Sequence, residues 1–288
     1  FEKAPSSPVR FMAFNWTPGN WRYAAHKWTH KDVDLFADAI IRRGYNMVRF
    51  HFVDAFLIGY RIHRRPHKKL SEVKIPQSPE EMDLDPHNLD IFDYLVASFK
   101  KRGIYINLDL MSSRAGYTLA YPSKIPHEKS FKTGLFTKPA YRRHWKAAVT
   151  FMMQRKNPYT GVRLKDEPTI ACVNFLNEQD LRLATGLKFF NAPFKQYLKQ
   201  KYQTDAALSK AWKRKVTFET VGEITEEILR GNDAAARDAG DFLIGSMVEM
   251  SGWFYKTLRG IGYPGLVTHW DIIMRMLEIP ARNRMPVI

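Results

Sequence analysis

One stretch constrains this chain more than any other: Thr169-Ile170-Ala171-Cys172-Val173-Asn174-Phe175-Leu176-Asn177-Glu178. It is a short, β-branched apolar run that stops in an amide and an acid. The turn signals of Asn157-Pro158-Tyr159-Thr160-Gly161 bound it upstream. A run this short reads as a buried parallel strand rather than a helix. Polar groups at the tip of such a strand stand where barrel enzymes keep their chemistry. Glu178 is therefore the leading candidate for a catalytic carboxylate.

The rest of the chain repeats the strand-helix alternation that such a strand needs. Val9 to Trp16 reads as a first strand, with Phe11, Ala13 and Asn15 on one face and Met12, Phe14 and Trp16 on the other. Thr29 with Asp32 predicts a capped helix start, and Val33, Phe36, Ala37, Ile40 and Ile41 give it an apolar stripe that Gly44 ends. Asn46 to Asp54 predicts a second strand. Its Val48, Phe50 and Phe52 form an apolar face, and its Met47, Arg49, His51 and Val53 form the opposite one. Arg and His on the inner face suit a barrel strand near the mouth. Asp85-Pro86 opens a second amphipathic helix that Gly103 closes. Ile104 to Leu110 repeats the pattern, with Tyr105, Asn107 and Asp109 turned inward. The parity of the fourth strand puts Cys172, Asn174 and Leu176 with Glu178, opposite Ala171, Val173 and Phe175.

After Glu178 a helical insertion at about 180–232 precedes a long helix from about 234 to 259. Leu266 to Trp270 reads as a fifth strand and Met285 to Ile288 as the start of a sixth. Long loops follow strands and short links follow helices, as in a (β/α)8 barrel with its site at the C-terminal strand ends. The expected class is thus α/β, a TIM barrel of which this chain holds about the first five to six strands in one domain over 1–288. No Gly-rich phosphate fingerprint follows the first strand, which argues against a dinucleotide fold.

Net charge is +16, from 45 Lys+Arg against 29 Asp+Glu. Such a bias points to an anionic partner or to a solvated basic face. No helix-turn-helix, zinc-finger or RNA-recognition pattern accompanies it, so a specific nucleic-acid partner is not expected. No apolar run reaches the roughly 20 residues that span a bilayer, and no membrane partner is expected. The lone Cys172 permits no internal disulfide. No metal-ligand spacing stands out, so no cofactor is predicted. The chain opens on Phe1 rather than Met, which reads as a processed or trimmed product. A secreted or periplasmic location is preferred, and oligomeric state stays open.

Glycoside cleavage calls for two carboxylates, and an acid beside an amide able to hold a sugar hydroxyl supplies the first. At this point the sequence resembles a family. Gly44-Tyr45-Asn46-Met47-Val48-Arg49-Phe50-His51 is similar to the second-strand motif of clan A glycoside hydrolases, the superfamily of family 5 cellulases and mannanases and family 42 β-galactosidases. The segments Asn157–Gly161, Asp166-Glu167-Pro168 and Asn177-Glu178 resemble that clan's approach to its fourth strand, and Val9-Arg10-Phe11 to Asn15 its first. The resemblance implies retaining hydrolysis, with Glu178 as general acid/base and Asn177 on the hydroxyl next to the scissile bond. It also implies that Arg49 steadies the nucleophile. That nucleophile is a Glu at the tip of strand seven, and neither Glu249 nor Glu278 fits, so it is expected outside this chain.

Further candidates rest on position. His51 and Asp109 share the parity of Arg49; they contact sugar, orient a catalytic group, or form a buried structural pair. Asn15 and His269 stand at the tips of the first and fifth strands. Trp16, Trp21 and Trp270, at or just past strand tips, are candidates to stack on sugar rings. Trp145, Trp212 and Trp253 fall on helix faces and are expected in the core. The basic run Arg61 to Lys69 lies in a loop on the site face, either solvated or reading carboxylate and sulfate groups. The expected partner is a poly- or oligosaccharide, with the charge suggesting an anionic one. The competing function is a carbohydrate-binding barrel without catalysis.

Overall fold

The computed structural model describes residues 9–17, 27–59, 68–126, 129–178 and 187–270. The chain divides into two compact units: Phe1–Ile125 with Pro139–Glu178 and Tyr255–Trp270, and Pro126–Lys138 with Gln179–Phe254 and Asp271–Ile288.

The first unit is a parallel α/β sheet. Strands β1 (Ala13–Trp16), β2 (Met47–Phe50), β3 (Tyr105–Asp109), β4 (Ile170–Asn177) and β5 (Leu266–Trp270) lie side by side in sequence order. Helix α1 (His30–Arg42) connects β1 to β2. Helices α2 (Val53–Leu57) and α3 (Pro86–Lys101) connect β2 to β3, and α5 (Pro139–Gln154) precedes β4. Register fixes which residues share a face. Asn15 pairs with Arg49, Arg49 with Asn107, and Asp109 with Asn174. Val48, Phe50, Ile106, Leu108 and Val173 on the other face are fully buried. Against that face pack Val33 and Ala37 of α1 and Leu95, Val96 and Phe99 of α3, burying the apolar stripe of each helix.

The local signals act as the sequence predicts. Thr29 caps α1 in a reciprocal box with Asp32, and Asp85 caps α3 through the Asn88 amide. Gly44 (φ +79°) and Gly103 (φ +68°) make the left-handed turns that carry α1 into β2 and α3 into β3. Asn46 adds a contact outside the ladder. Its side chain accepts from Met12 N at 2.7 Å and donates to Arg10 O at 2.8 Å, clipping residues 10–12 beside the start of β2.

The structure departs from sequence expectation in three places. The second strand, expected to reach Asp54, ends at Phe50. Phe52 takes a left-handed backbone (φ 59°, ψ 33°), and residues 53–57 coil into α2. Trp16 pairs in register with Phe50, so its parity turns it to the helix side. There it is 4% exposed, stacked on Trp28 and tilted against Phe36, so it is a core residue and not a sugar platform. The parity of β4 is also not strict. From Ile170 to Cys172, β4 advances two residues while β3 advances one; from Asn174 to Asn177 it advances three while β5 advances two. Alternation from Asn174 would put residues 176 and 178 on the inner face. The shift brings Asn177 there instead.

The second unit holds α4 (Phe131–Thr137), α6 (Asn191–Tyr202), α7 (Asp205–Trp212), α8 (Glu226–Arg230) and most of α9 (Ala234–Ile261). Phe190 and Phe194 pack on Phe242, with ring centroids 5.4 and 5.3 Å away. Asp238, 2% exposed, accepts from Lys201 Nζ, Tyr202 OH and Trp212 Nε1 at 2.7, 2.8 and 2.7 Å. That carboxylate joins α6, α7 and α9. Trp145 and Trp212 are buried, as expected of core tryptophans.

Candidate active site

The inner-face residues of β2, β3 and β4 converge on one carboxylate. Asp109, fully buried near the tip of β3, accepts Arg49 Nε at 3.1 Å and Arg49 Nη2 at 2.8 Å. This fork is the strong, oriented form of the Arg–carboxylate pair. His51 Nδ1 lies 2.6 Å from Asp109 Oδ2, and Asn174 Nδ2 donates to Oδ1 at 3.0 Å. Ser112 Oγ adds a contact at 3.3 Å to the same Oδ2. Burial pushes the Asp109 carboxyl up, but hydrogen bonds from His51 and Arg49 and the Arg49 charge outweigh it. The net effect holds Asp109 below the ordinary carboxylate value of 3.8. Asp109 is therefore a fixed anion, and Arg49 balances its charge.

Arg49 also reaches the next strand, where Nη2 donates to Asn177 Oδ1 at 2.5 Å. Asn177 is fully buried, and its Nδ2 has no hydrogen-bond partner among the described residues. The carbonyl of Phe175, within the shifted segment, accepts the indole Nε1 of the buried Trp145 at 3.1 Å. That bond satisfies a group the regular ladder would otherwise use.

Glu178 follows Asn177 at the strand tip. Its backbone is left-handed (φ 51°) and its side chain is exposed, with no hydrogen bond or ion pair to another described residue. Left-handed conformations at non-glycine residues gather at functional sites.

Two buried residues that the sequence did not single out complete the support. Asp54, the second residue of α2, accepts Ser112 N at 3.1 Å and Ser113 N at 2.8 Å, which ties the segment after β2 to the segment after β3. Ser112 in turn receives Phe52 N at 3.3 Å. Asn174 was legible by parity, since it shares the inner face with Asp109, but its role as a donor emerges only from the register. The Cys172 thiol is pushed up to about 11, by burial first and by the Asp109 charge second. It is a protonated thiol at neutral pH and not a nucleophile.

Of the other candidates, Asn15 is exposed at the β1 tip, in register with Arg49 but without a described contact to it. The strand carrying His269 and Trp270 is β5, while their side chains lie outside the described residues. So do Trp21, Glu278, the run Arg61 to His67 and the expected sixth strand. Among the described residues no group of His, Cys, Asp and Glu is arranged to hold a metal ion. No described helix is long and apolar enough to cross a membrane.

Comparison with solved structures finds similar folds. A β-galactosidase from the psychrophilic Marinomonas ef1 superposes with a TM-score of 0.54 at 16% identity, over 90% of this chain and 37% of that one. The β-galactosidase of the haloarchaeon Halorubrum lacusprofundi does so with a TM-score of 0.54 at 15% identity, over 88% of this chain and 35% of that one. The fold is similar to that of barrel glycosidases. An endo-β-1,4-mannanase from Thermotoga petrophila matches more loosely, with a TM-score of 0.44 at 17% identity over 71% of this chain and 41% of that one. The chain thus spans less than half the length of these three proteins. No family model matches the sequence, and no curated protein matches it.

Proposed function

We propose that this chain carries the acid/base half of a retaining glycoside hydrolase. The observation that carries the proposal is the meeting of Arg49, Asp109 and Asn177 directly below Glu178, at the C-terminal ends of parallel strands. Glu178 donates a proton to the leaving glycosidic oxygen and then takes one from the incoming water. Asn177 spends its Oδ1 on Arg49, which orients its Nδ2 as a donor to the sugar hydroxyl beside the scissile bond. Arg49, locked to Asp109, presents its positive charge where the nucleophilic carboxylate must stand. That nucleophile comes from outside the described residues, on a later strand of a (β/α)8 barrel whose first five strands are β1 to β5. The substrate is a poly- or oligosaccharide, and the net charge of +16 favours one with carboxylate or sulfate groups. The similar fold of two β-galactosidases supports the class.

A second reading, a carbohydrate-binding barrel without catalysis, is favoured by the exposure of Glu178, because a general acid works best in a dry setting. Leaving-group dependence decides between them. Glu178→Ala should stop polysaccharide cleavage while sparing aryl glycosides whose leaving group needs no proton, and azide should be captured as the glycosyl azide. Unchanged polysaccharide cleavage by that variant sinks the acid/base role. A full-length protein that supplies the later strands, binds oligosaccharides and yet cleaves none establishes the second reading.

A further inference from the structure

Phe52 breaks the pattern of the strand that leads to it. Alternation from Phe50 would send its ring to the helix side, where Phe50 is fully buried and Phe56 is 2% exposed. Instead its left-handed backbone ends β2 and leaves the ring half-buried, centroid 4.2 Å from that of the inner-face His51 and at 61° to it. A bulky L-residue adopts this conformation only when its surroundings impose it. Here Phe52 N donates to Ser112 Oγ at 3.3 Å, and Phe52 O accepts Phe56 N at 3.0 Å.

The described residues hold four left-handed non-glycine residues. Lys213 follows the last turn of α7, where such a conformation is an ordinary helix stop, and Gln203 (φ 63°, ψ −33°) follows the last turn of α6 with a different ψ. The other two, Phe52 and Glu178, each follow an inner-face residue of the Asp109 network at a strand tip. Asn177, which precedes Glu178 and shares the Arg49 link to Asp109, holds a buried Nδ2 donor without a partner among the described residues.

We infer that Phe52 is a saccharide-stacking residue of this site: its ring is held out of the core to lie against the apolar face of a sugar whose hydroxyl meets Asn177. This rests on the site taking a saccharide, and not on Glu178 being an acid. Flat C–H faces of pyranose rings suit aromatic surfaces, and an aromatic contact is favourable without any charge on the ligand.

The test uses the whole chain with three probes: β-1,4-mannohexaose, a β-galacto-oligosaccharide and an oligouronate, each titrated by NMR. Binding of at least one probe with upfield-shifted ring protons is expected, the mark of an aromatic face. Phe52→Tyr should keep the affinity and the shift. Phe52→Asn, which tolerates the left-handed backbone, and Phe52→Leu should both lose the shift and bind about tenfold more weakly. Their melting temperatures should hold, or rise for Phe52→Asn as the strain is relieved. Wild-type affinity in Phe52→Leu with the shift intact overturns the inference, whatever Glu178→Ala does to hydrolysis. A wild-type chain that binds none of the probes overturns it together with the saccharide reading.

Discussion

Arg49 and Asn177 stand 128 positions apart in sequence, yet Nη2 of the one donates to Oδ1 of the other on the inner face of the sheet. The bond joins β2 to β4 across β3, which lies between them. Asp109, on that middle strand, holds the same guanidinium through two further bonds. The result is an arginine with little freedom and an amide with a fixed orientation.

The first prediction concerns Asp109. Removing its carboxylate strands the Arg49 charge among buried partners, and breaking a pair of this kind costs about 3 kcal/mol or more. Asp109→Ala should lower the denaturant midpoint accordingly. Asp109→Asn keeps the shape and one acceptor, and should cost less. Equal midpoints for Asp109→Ala and the wild type would show that the cluster contributes nothing to stability.

A second prediction follows from His144, a fully buried residue of α5. Its Nδ1 lies 2.8 Å from Pro76 O, and its Nε2 accepts Tyr117 N at 3.1 Å. The neutral ring satisfies both partners; a second proton would point a donor at a donor. Burial first holds its pKa down, from 6.5 to about 4. The unfolded chain therefore binds the extra proton in the window from pH 6.5 down to about 4, and stability falls as pH drops through it. The full loss is on the order of 3 kcal/mol. Denaturant midpoints measured from pH 7 to pH 4 should decline in the wild type, and His144→Asn should flatten part of that decline. An identical slope in both proteins would refute the assignment.

Asp109 adds to acid sensitivity at lower pH. Its folded value lies below 3.8, so its contribution is complete above that value and disappears as the carboxylate is protonated below it. Asp93 opposes this. Burial raises its value above 3.8 despite the Arg155 partner, so it favours the fold at low pH and loses that contribution as pH rises. Asp93→Asn should thus be tolerated better at neutral pH than Asp109→Asn, and midpoints at pH 7 will tell.

At the strand tip, Glu178→Gly should stabilise the sheet by about 1 kcal/mol, because glycine removes the penalty of a left-handed L-residue. Under the proposed function it should abolish polysaccharide hydrolysis at the same time. A melting temperature that falls instead would mean that the Glu178 side chain holds structure and that its backbone is not strained.

In the second unit, Asp238→Ala orphans three donors, Lys201 Nζ, Tyr202 OH and Trp212 Nε1. Limited proteolysis should then cut within residues 187–233 faster than within β1 to β4. Uniform cutting would argue that the two units unfold together.

Most of the sheet was legible because its signals are local. Alternation and short apolar runs located the five strands, and Thr29, Asp85, Gly44 and Gly103 marked where α1 and α3 begin and end. Parity also turned Arg49, His51 and Asp109 to one side. The misread features are those that alternation cannot encode. Phe52 continues an apolar period of two, so nothing in it announces the turn that starts α2. The extra residues of β4 appear only against the register of its neighbours. Trp16 was judged by its nearness to a strand tip, when its parity with Phe14 already assigned it to the core. That Asn174 feeds Asp109 depends on β3 and β4 meeting, which no single stretch records.

The irregular step between Asn174 and Asn177 makes this strand hard to transplant. Straighten the strand there with all its residues kept and the ladder to β5 becomes regular, yet the amide that meets Arg49 rotates toward the helices. With all eight residues of β4 in place, the irregular step is what lets the amide meet Arg49. A graft of Asn177-Glu178 onto another barrel must also bring an indole like that of Trp145 to hold the Phe175 carbonyl. The smallest portable unit of this site is a miscounted strand together with the helix that corrects for it.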